Sequence, residues 1–230
     1  HMVEYLLEQQ RLTREEGYWR LSGDLTTDVV PDTLQRLILA QFHSLPSEQQ
    51  QVLEAASIVG PVFSAASVAA ALQRLPEVIE ENCDRLVQHG QFLRELGVAT
   101  WPDGTVNSQY GFRHALYPEV LYQRMSAGRR VRMHRAIGLC EELGYGAQAG
   151  ERAAELARHF TQGHDIPRAV QYLLQAGQNA LRLSAHVEAL SRFTQGLTLL
   201  TAQPETPERT QQEVGLQIGV GVAQMATKGF

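Results

Sequence analysis

Apolar positions recur at helical spacing through most of this chain, and an extended period replaces it over one short stretch. Pro31-Asp32 supplies a helix start, and Leu34, Leu37, Ile38 and Phe42 follow at intervals of three and four. Ser47 with Gln50 has the form of a capping box for a second helix with Val52, Ala55, Ala56 and Val59 on its apolar face. Gly60-Pro61 stops it, and Ser64 is placed to cap a short alanine-rich helix running to Leu72. Pro76 opens a fourth helix with Val78, Ile79, Cys83, Leu86 and Val87 inward and Gly90 at its end. The period then changes: residues 92–101 read as a strand, 102–104 as a turn and 106–112 as the returning strand. Helices followed by one β-hairpin form the pattern of a winged helix, with the hairpin as the wing.

Beyond Leu116 the pattern predicts only helices, over about 116–125, 127–143, 149–162, 166–182, 185–200 and 207–225. Ser126 and Asp165 stand where helix caps belong, Gly144-Tyr145-Gly146 and Gly163-His164 are breaks, and 201–207 holds two prolines. Such lengths with short connections predict antiparallel pairs. Gly177, Ala189 and Phe193 match the small and aromatic positions of a tetratricopeptide repeat, although no tryptophan or closing proline falls where its consensus has one. Ala176, Gly177 and Ala180 form a small-residue stripe for close helix approach. The expected fold class is therefore mostly α: a winged-helix module over 30–115, then a tetratricopeptide-like array over 116–230. Residues 1–29 read as the tail of an upstream domain. Within them, 3–10 form a short helix, Tyr18-Trp19-Arg20-Leu21 a strand or turn, and His1-Met2 the remnant of a tag.

Charge narrows the choice of partners. The net charge of −5 gives no general attraction to nucleic acid or to an anionic membrane. Over 31–117 there are five arginines against nine acids, and the helix at 77–89 carries Glu77, Glu80, Glu81 and Asp84 against Arg85. A DNA reader must approach a polyanion, so this balance opposes direct DNA binding. No apolar run nears the ~20 residues of a membrane span, and no signal peptide is present. Nineteen arginines accompany a single lysine, Lys228, with no glycine-rich loop before it, so the chain lacks a phosphate-binding P-loop. Cys83 and Cys140 fall on apolar helix faces and read as reduced, buried thiols of a cytoplasmic protein.

Candidate chemistry is sparse. Arg124, Arg129, Arg130, Arg132 and Arg135 cluster around His134. They form either a solvated face with packed stems or a patch for phosphate or an acidic partner, whose oxygens match guanidinium forks. His159 and His164 have no third ligand nearby in sequence, which opposes zinc. His134 and Cys140, six apart on one helix, point in different directions, and no catalytic triad follows from spacing. His114 stands at the junction between the returning strand and the next helix, where a lone histidine is usually a structural hydrogen-bonder.

Several segments together resemble a known family. The run Tyr110-Gly111-Phe112-Arg113-His114-Ala115-Leu116 continues to Tyr122 and is followed by Arg129-Arg130 and His134. It is similar to the end of the nucleotide-binding core in bacterial signal-transduction ATPases with numerous domains (STAND-type). Leu53-Glu54-Ala55-Ala56-Ser57-Ile58-Val59-Gly60 with Phe63 resembles the family's winged helix, and Ala154-Glu155-Leu156-Ala157-Arg158-His159-Phe160 its first repeat helix. The resemblance implies an ATPase core upstream, to which residues 1–29 would belong, and ATP or ADP as a ligand of the whole parent with no cofactor in this fragment. It implies His114 as nucleotide sensor with Arg113 as helper, Ala115 standing where plant and animal relatives carry aspartate. Its implied partners are the nucleotide-binding domain in cis and a protein or small-molecule inducer on the repeats. The fragment is then a non-catalytic regulator. The alternatives are a DNA-binding winged-helix transcription regulator, or an enzyme built on the arginine cluster.

Overall fold

The structure, a computed structural model, describes residues 12–15, 18–21, 32–201 and 203–228. The helix expected at 3–10 lies outside them. The chain divides into two units, 1–37 and 38–230. In the first, β1 (Leu12–Glu15) pairs antiparallel with β2 (Tyr18–Leu21), Arg14 opposite Trp19. The sequence left 18–21 as a strand or a turn, and it is a strand; its partner at 12–15 was not expected. Helix α1 (Asp32–His43) begins at the expected aspartate, and its residues Ile38 and Phe42, which belong to the second unit, are buried.

The second unit continues with α2 (Ser47–Val59), β3 (Val62–Ser64), α3 (Ala65–Leu72) and α4 (Pro76–His89). The hairpin β4 (Leu93–Thr100) and β5 (Val106–Phe112) follows. The sheet has three antiparallel strands in the order β3-β5-β4, with Phe63 opposite Tyr110 and Leu93 opposite Phe112. β3 is an addition to the expected hairpin. Its three residues are too few to show alternation; backbone pairing with β5 and burial of Phe63 and Ser64 define it. A bulge between Glu95 and Gly97 bends β4, and Gly97 takes φ +92°, a backbone that glycine accepts without steric penalty. The core beneath the sheet contains Leu53, Ile58, Phe63, Val68, Ile79, Cys83, Leu86 and Tyr110, all nearly inaccessible to solvent.

Several local expectations are corrected. The capping box at Ser47 does not form: Pro46 takes the cap position, Ser47 is already helical, and Gln50 turns back to donate to the Leu45 carbonyl at 2.8 Å. Ser126 sits at a cap position without a side-chain cap bond. Asp165 also makes none, because its carboxylate is taken by Arg168 at 3.1 Å, with Arg135 at 3.8 Å. Ser64 does cap α3, accepting from the Ser67 amide at 3.0 Å. Val78 is exposed, because α4 buries only the stripe through Ile79, Asn82, Cys83 and Leu86.

After β5 the chain is helical: α5 (Leu116–Arg124), α6 (Ala127–Tyr145), a 3-10 segment (Gly146–Arg152), α7 (Ala153–Gln162), α8 (Ile166–Arg182), α9 (His186–Thr201) and α10 (Pro207–Lys228). The helix expected from 149 starts four residues later, since 146–152 winds more tightly. From α6 onward, successive helices pack on one another. Phe160 of α7 stacks on Tyr172 of α8, ring centroids 5.6 Å apart. Further along, Phe193 of α9 is wholly buried between two glycines. A Cβ on Gly177 of α8 would lie 2.2 Å from its ring, and one on Gly219 of α10 would lie 2.7 Å away. Three helices therefore meet on one aromatic side chain, a contact that the bare glycine backbones permit. No helix among the described residues is long and apolar enough to cross a membrane.

Candidate functional site

Arg113 and His114 sit where β5 passes into α5, and both are exposed. The Arg113 amide donates to the Phe92 carbonyl at 2.9 Å, and its guanidinium turns back to the Leu93 carbonyl at 3.2 Å. The junction is thus tied to the hairpin by backbone and side chain. His114 stands edge-on to Tyr117, ring centroids 5.2 Å apart.

The five clustered arginines divide among several partners. Arg124 and Arg129 both reach inward to Glu54 of α2, whose carboxylate is nearly buried. Arg124 lies 3.3 Å from one oxygen and also stacks over Phe42 at 4.7 Å. Arg130 covers the Tyr122 ring at 4.9 Å, Arg135 faces Asp165, and Arg132 is exposed. For two of them the acidic partner is this chain's own Glu54, 75 residues from Arg129. A buried carboxylate satisfied by two guanidinium groups locks α5 and α6 onto α2.

The acidic face of α4 is also partly internal. Glu80 accepts from the Ser108 hydroxyl at 2.6 Å and Asp84 from the Tyr110 hydroxyl at 2.8 Å, which fastens α4 to β5. Glu81 pairs with Arg85, the helix's single arginine. That single arginine therefore faces a carboxylate of its own helix.

Sequence spacing missed a histidine pair. His134 of α6 and His159 of α7 are each 1% exposed, with their Nδ1 atoms 3.1 Å apart. Arg158 donates to His159 Nε2 at 3.0 Å, and His134 Nε2 lies 3.1 Å from the Tyr122 hydroxyl. Arginine has no acceptor to offer, so His159 Nε2 must accept and its proton must be on Nδ1. His134 Nδ1 then accepts, and its Nε2–H donates to Tyr122. Burial holds both imidazoles well below their ordinary pKa, and the positive charge of Arg158 adds to the effect. The pair is neutral and joins α5, α6 and α7. Arg158 also donates to the carbonyls of Ile58 (3.1 Å) and Val59 (2.7 Å) at the end of α2. His164 is exposed in a left-handed turn, so it does not join His159. Cys140 lies 3.9 Å from the Ala66 carbonyl, away from His134. Among the described residues no three acids, histidines or cysteines form a metal site.

A cleft of about 490 Å³ opens where β3 meets α6 and α7. Glu141 lines it. Its carboxyl is 3% exposed and accepts from the Ser67 hydroxyl at 2.8 Å through one oxygen, while Oε2 has no partner among the described residues. Burial raises its pKa against the lowering pull of the Ser67 hydrogen bond and of Arg152 and Arg158. Arg152 stacks over Tyr145 at 5.0 Å, and its buried Nε likewise has no partner among the described residues. Trp101, ring centroid 5.4 Å from that of Tyr145, completes an aromatic wall. No sequence signal marked this cleft, because Ser67 and Glu141 are 74 residues apart.

No protein-family profile, curated protein or solved structure matches this chain.

Proposed function

We propose that this chain is a non-catalytic regulatory part of a STAND-type signalling ATPase: a winged-helix module followed by tetratricopeptide-like repeats. The observation that carries this reading is the element order α2-β3-α3-α4-β4-β5 with the sheet order β3-β5-β4. A short strand after the first helix pairs with the return strand of a terminal hairpin, and this supports the winged-helix reading. The helical hairpins beyond α5, with Phe193 held between Gly177 and Gly219, support the repeat reading. In this reading the repeats receive an inducer or protein partner in the cytoplasm, and the upstream domain in cis binds ATP or ADP.

Arg113 and His114 suit the sensing role by position. The bonds from Arg113 to the hairpin hold the junction rigid, and His114 faces outward from it. A contact made by His114 to ADP in only one state of the parent would bias the switch toward that state. In the full-length parent, His114→Ala should speed ADP release and raise basal output. Unchanged ADP retention together with unchanged output would refute the role. The DNA-reader alternative is tested by a low-salt gel shift on this chain, where no complex is expected.

A further inference from the structure

We propose that the cleft between β3 and the α6–α7 pair is a binding site for a small zwitterion of the α-amino-acid type, with its ammonium on Glu141 and its carboxylate on Arg152. This proposal is independent of the regulatory reading above and stands or falls separately.

Two residues that line one cavity, Glu141 and Arg152, each carry a buried polar atom without a partner among the described residues: the acceptor Oε2 and the donor Nε. Groups buried this deeply are ordinarily hydrogen-bonded, and an unmet one costs about 1–3 kcal/mol. The other nitrogens of Arg152 reach the Tyr145 hydroxyl at 3.4 Å and Glu155 at 4.0 Å, which leaves Nε unmet. No arginine comes within ion-pair distance of Glu141 among the described residues. Arg158, the other guanidinium in the cleft, is committed to two carbonyls and His159.

Charge selects the occupant. A simple cation would be repelled by Arg152 and Arg158, and a simple anion by Glu141 and Glu155, all four of which line the cavity. A molecule carrying both charges, aligned against the dipole from Glu141 to Arg152, satisfies both ends. The volume of about 490 Å³ lies within the range of small-molecule sites, and Trp101 and Tyr145 offer an apolar wall to a side chain.

Trp101 is one of two tryptophans, so in a Trp19→Phe variant it reports alone. That protein is titrated with glycine, L-alanine, L-leucine and L-phenylalanine, and with propionate, ethylammonium and propionamide as probes lacking one or both charges. At least one amino acid should change Trp101 emission saturably and bind at least about tenfold tighter than every control. Glu141→Gln and Arg152→Gln should each weaken it by about tenfold or more, the value of one charged hydrogen bond. Arg152 is partly exposed, so its variant keeps the test usable if Glu141→Gln does not fold. Silence from all four amino acids, equal binding of a control, or unchanged affinity in a folded variant would each overturn the proposal. Equal binding of propionamide would assign the cleft to a neutral amide.

Discussion

Gly177→Ala tests the packing of the helical array most directly. Alanine in a helix interior is ordinarily favoured over glycine by about 1 kcal/mol, so on an open face this substitution stabilises. Here the new methyl would lie 2.2 Å from the Phe193 ring, whose nearer edge atoms it meets at 2.2 and 2.6 Å. To reach ordinary contact the ring must move by more than 1 Å. Its escape is closed by Gly219, where the backbone is already so near that a Cβ would lie 2.7 Å away. With the ring's escape closed, the overpacking cost falls at the upper end of the usual range, about 2–3 kcal/mol, and subtracting the gain of about 1 kcal/mol leaves a loss of about 1–2 kcal/mol. Phe193→Ala alone should cost about 3–5 kcal/mol, because the ring is fully buried. Once the ring is gone the clash is gone, and Gly177→Ala in that background should regain about 1 kcal/mol. Urea denaturation of the four proteins, followed by far-ultraviolet circular dichroism, yields the coupling as a double-mutant cycle. If Gly177→Ala proves neutral or stabilising with Phe193 present, the wedge does not hold these helices together.

Other consequences follow from the buried polar contacts. His134 and His159 are neutral when folded and titrate near 6.5 when unfolded, so their contribution is complete above that pH and is lost progressively as pH falls from there toward the folded values of about 3 and about 2. Between pH 7 and 5.5 the pair should cost about 2–3 kcal/mol of stability, and a His134→Gln/His159→Gln variant should lose most of that pH dependence in urea titrations. Glu54→Gln leaves Arg124 and Arg129 facing a neutral amide. Both arginines are about one-third exposed, which reduces the penalty to about 1–3 kcal/mol, measurable as a lower thermal midpoint that added salt does not restore.

Much of the helical framework was legible from local physics. Proline at Pro76, glycine at Gly90 and Gly146, and the apolar period of α8 and α9 are signals carried within one or two turns of chain. The hairpin at 92–112 was legible for the same reason, since a change of period and a Pro-Asp-Gly turn are local. The small residues Ala176, Gly177 and Ala180 announced a close approach, but not that Phe193 would fill it from one side and Gly219 close it from the other. Capping was less legible: Ser47, Ser126 and Asp165 had the right type at the right place, and competing partners or a one-residue shift left them uncapped.

Composition and period alone thus determined that the chain is mostly helical with one extended interruption, because helix starts, stops and amphipathic faces are encoded over a few residues. Tertiary structure decided the rest: the strand at 62–64, the neutral histidine pair, Glu54 between two arginines, and the Glu141 cleft. Each of these joins groups from 25 to 75 residues apart in sequence or, for the strand, depends on a partner more than 40 residues away. Their energies arise only after burial removes water, which a linear pattern of residue types does not encode.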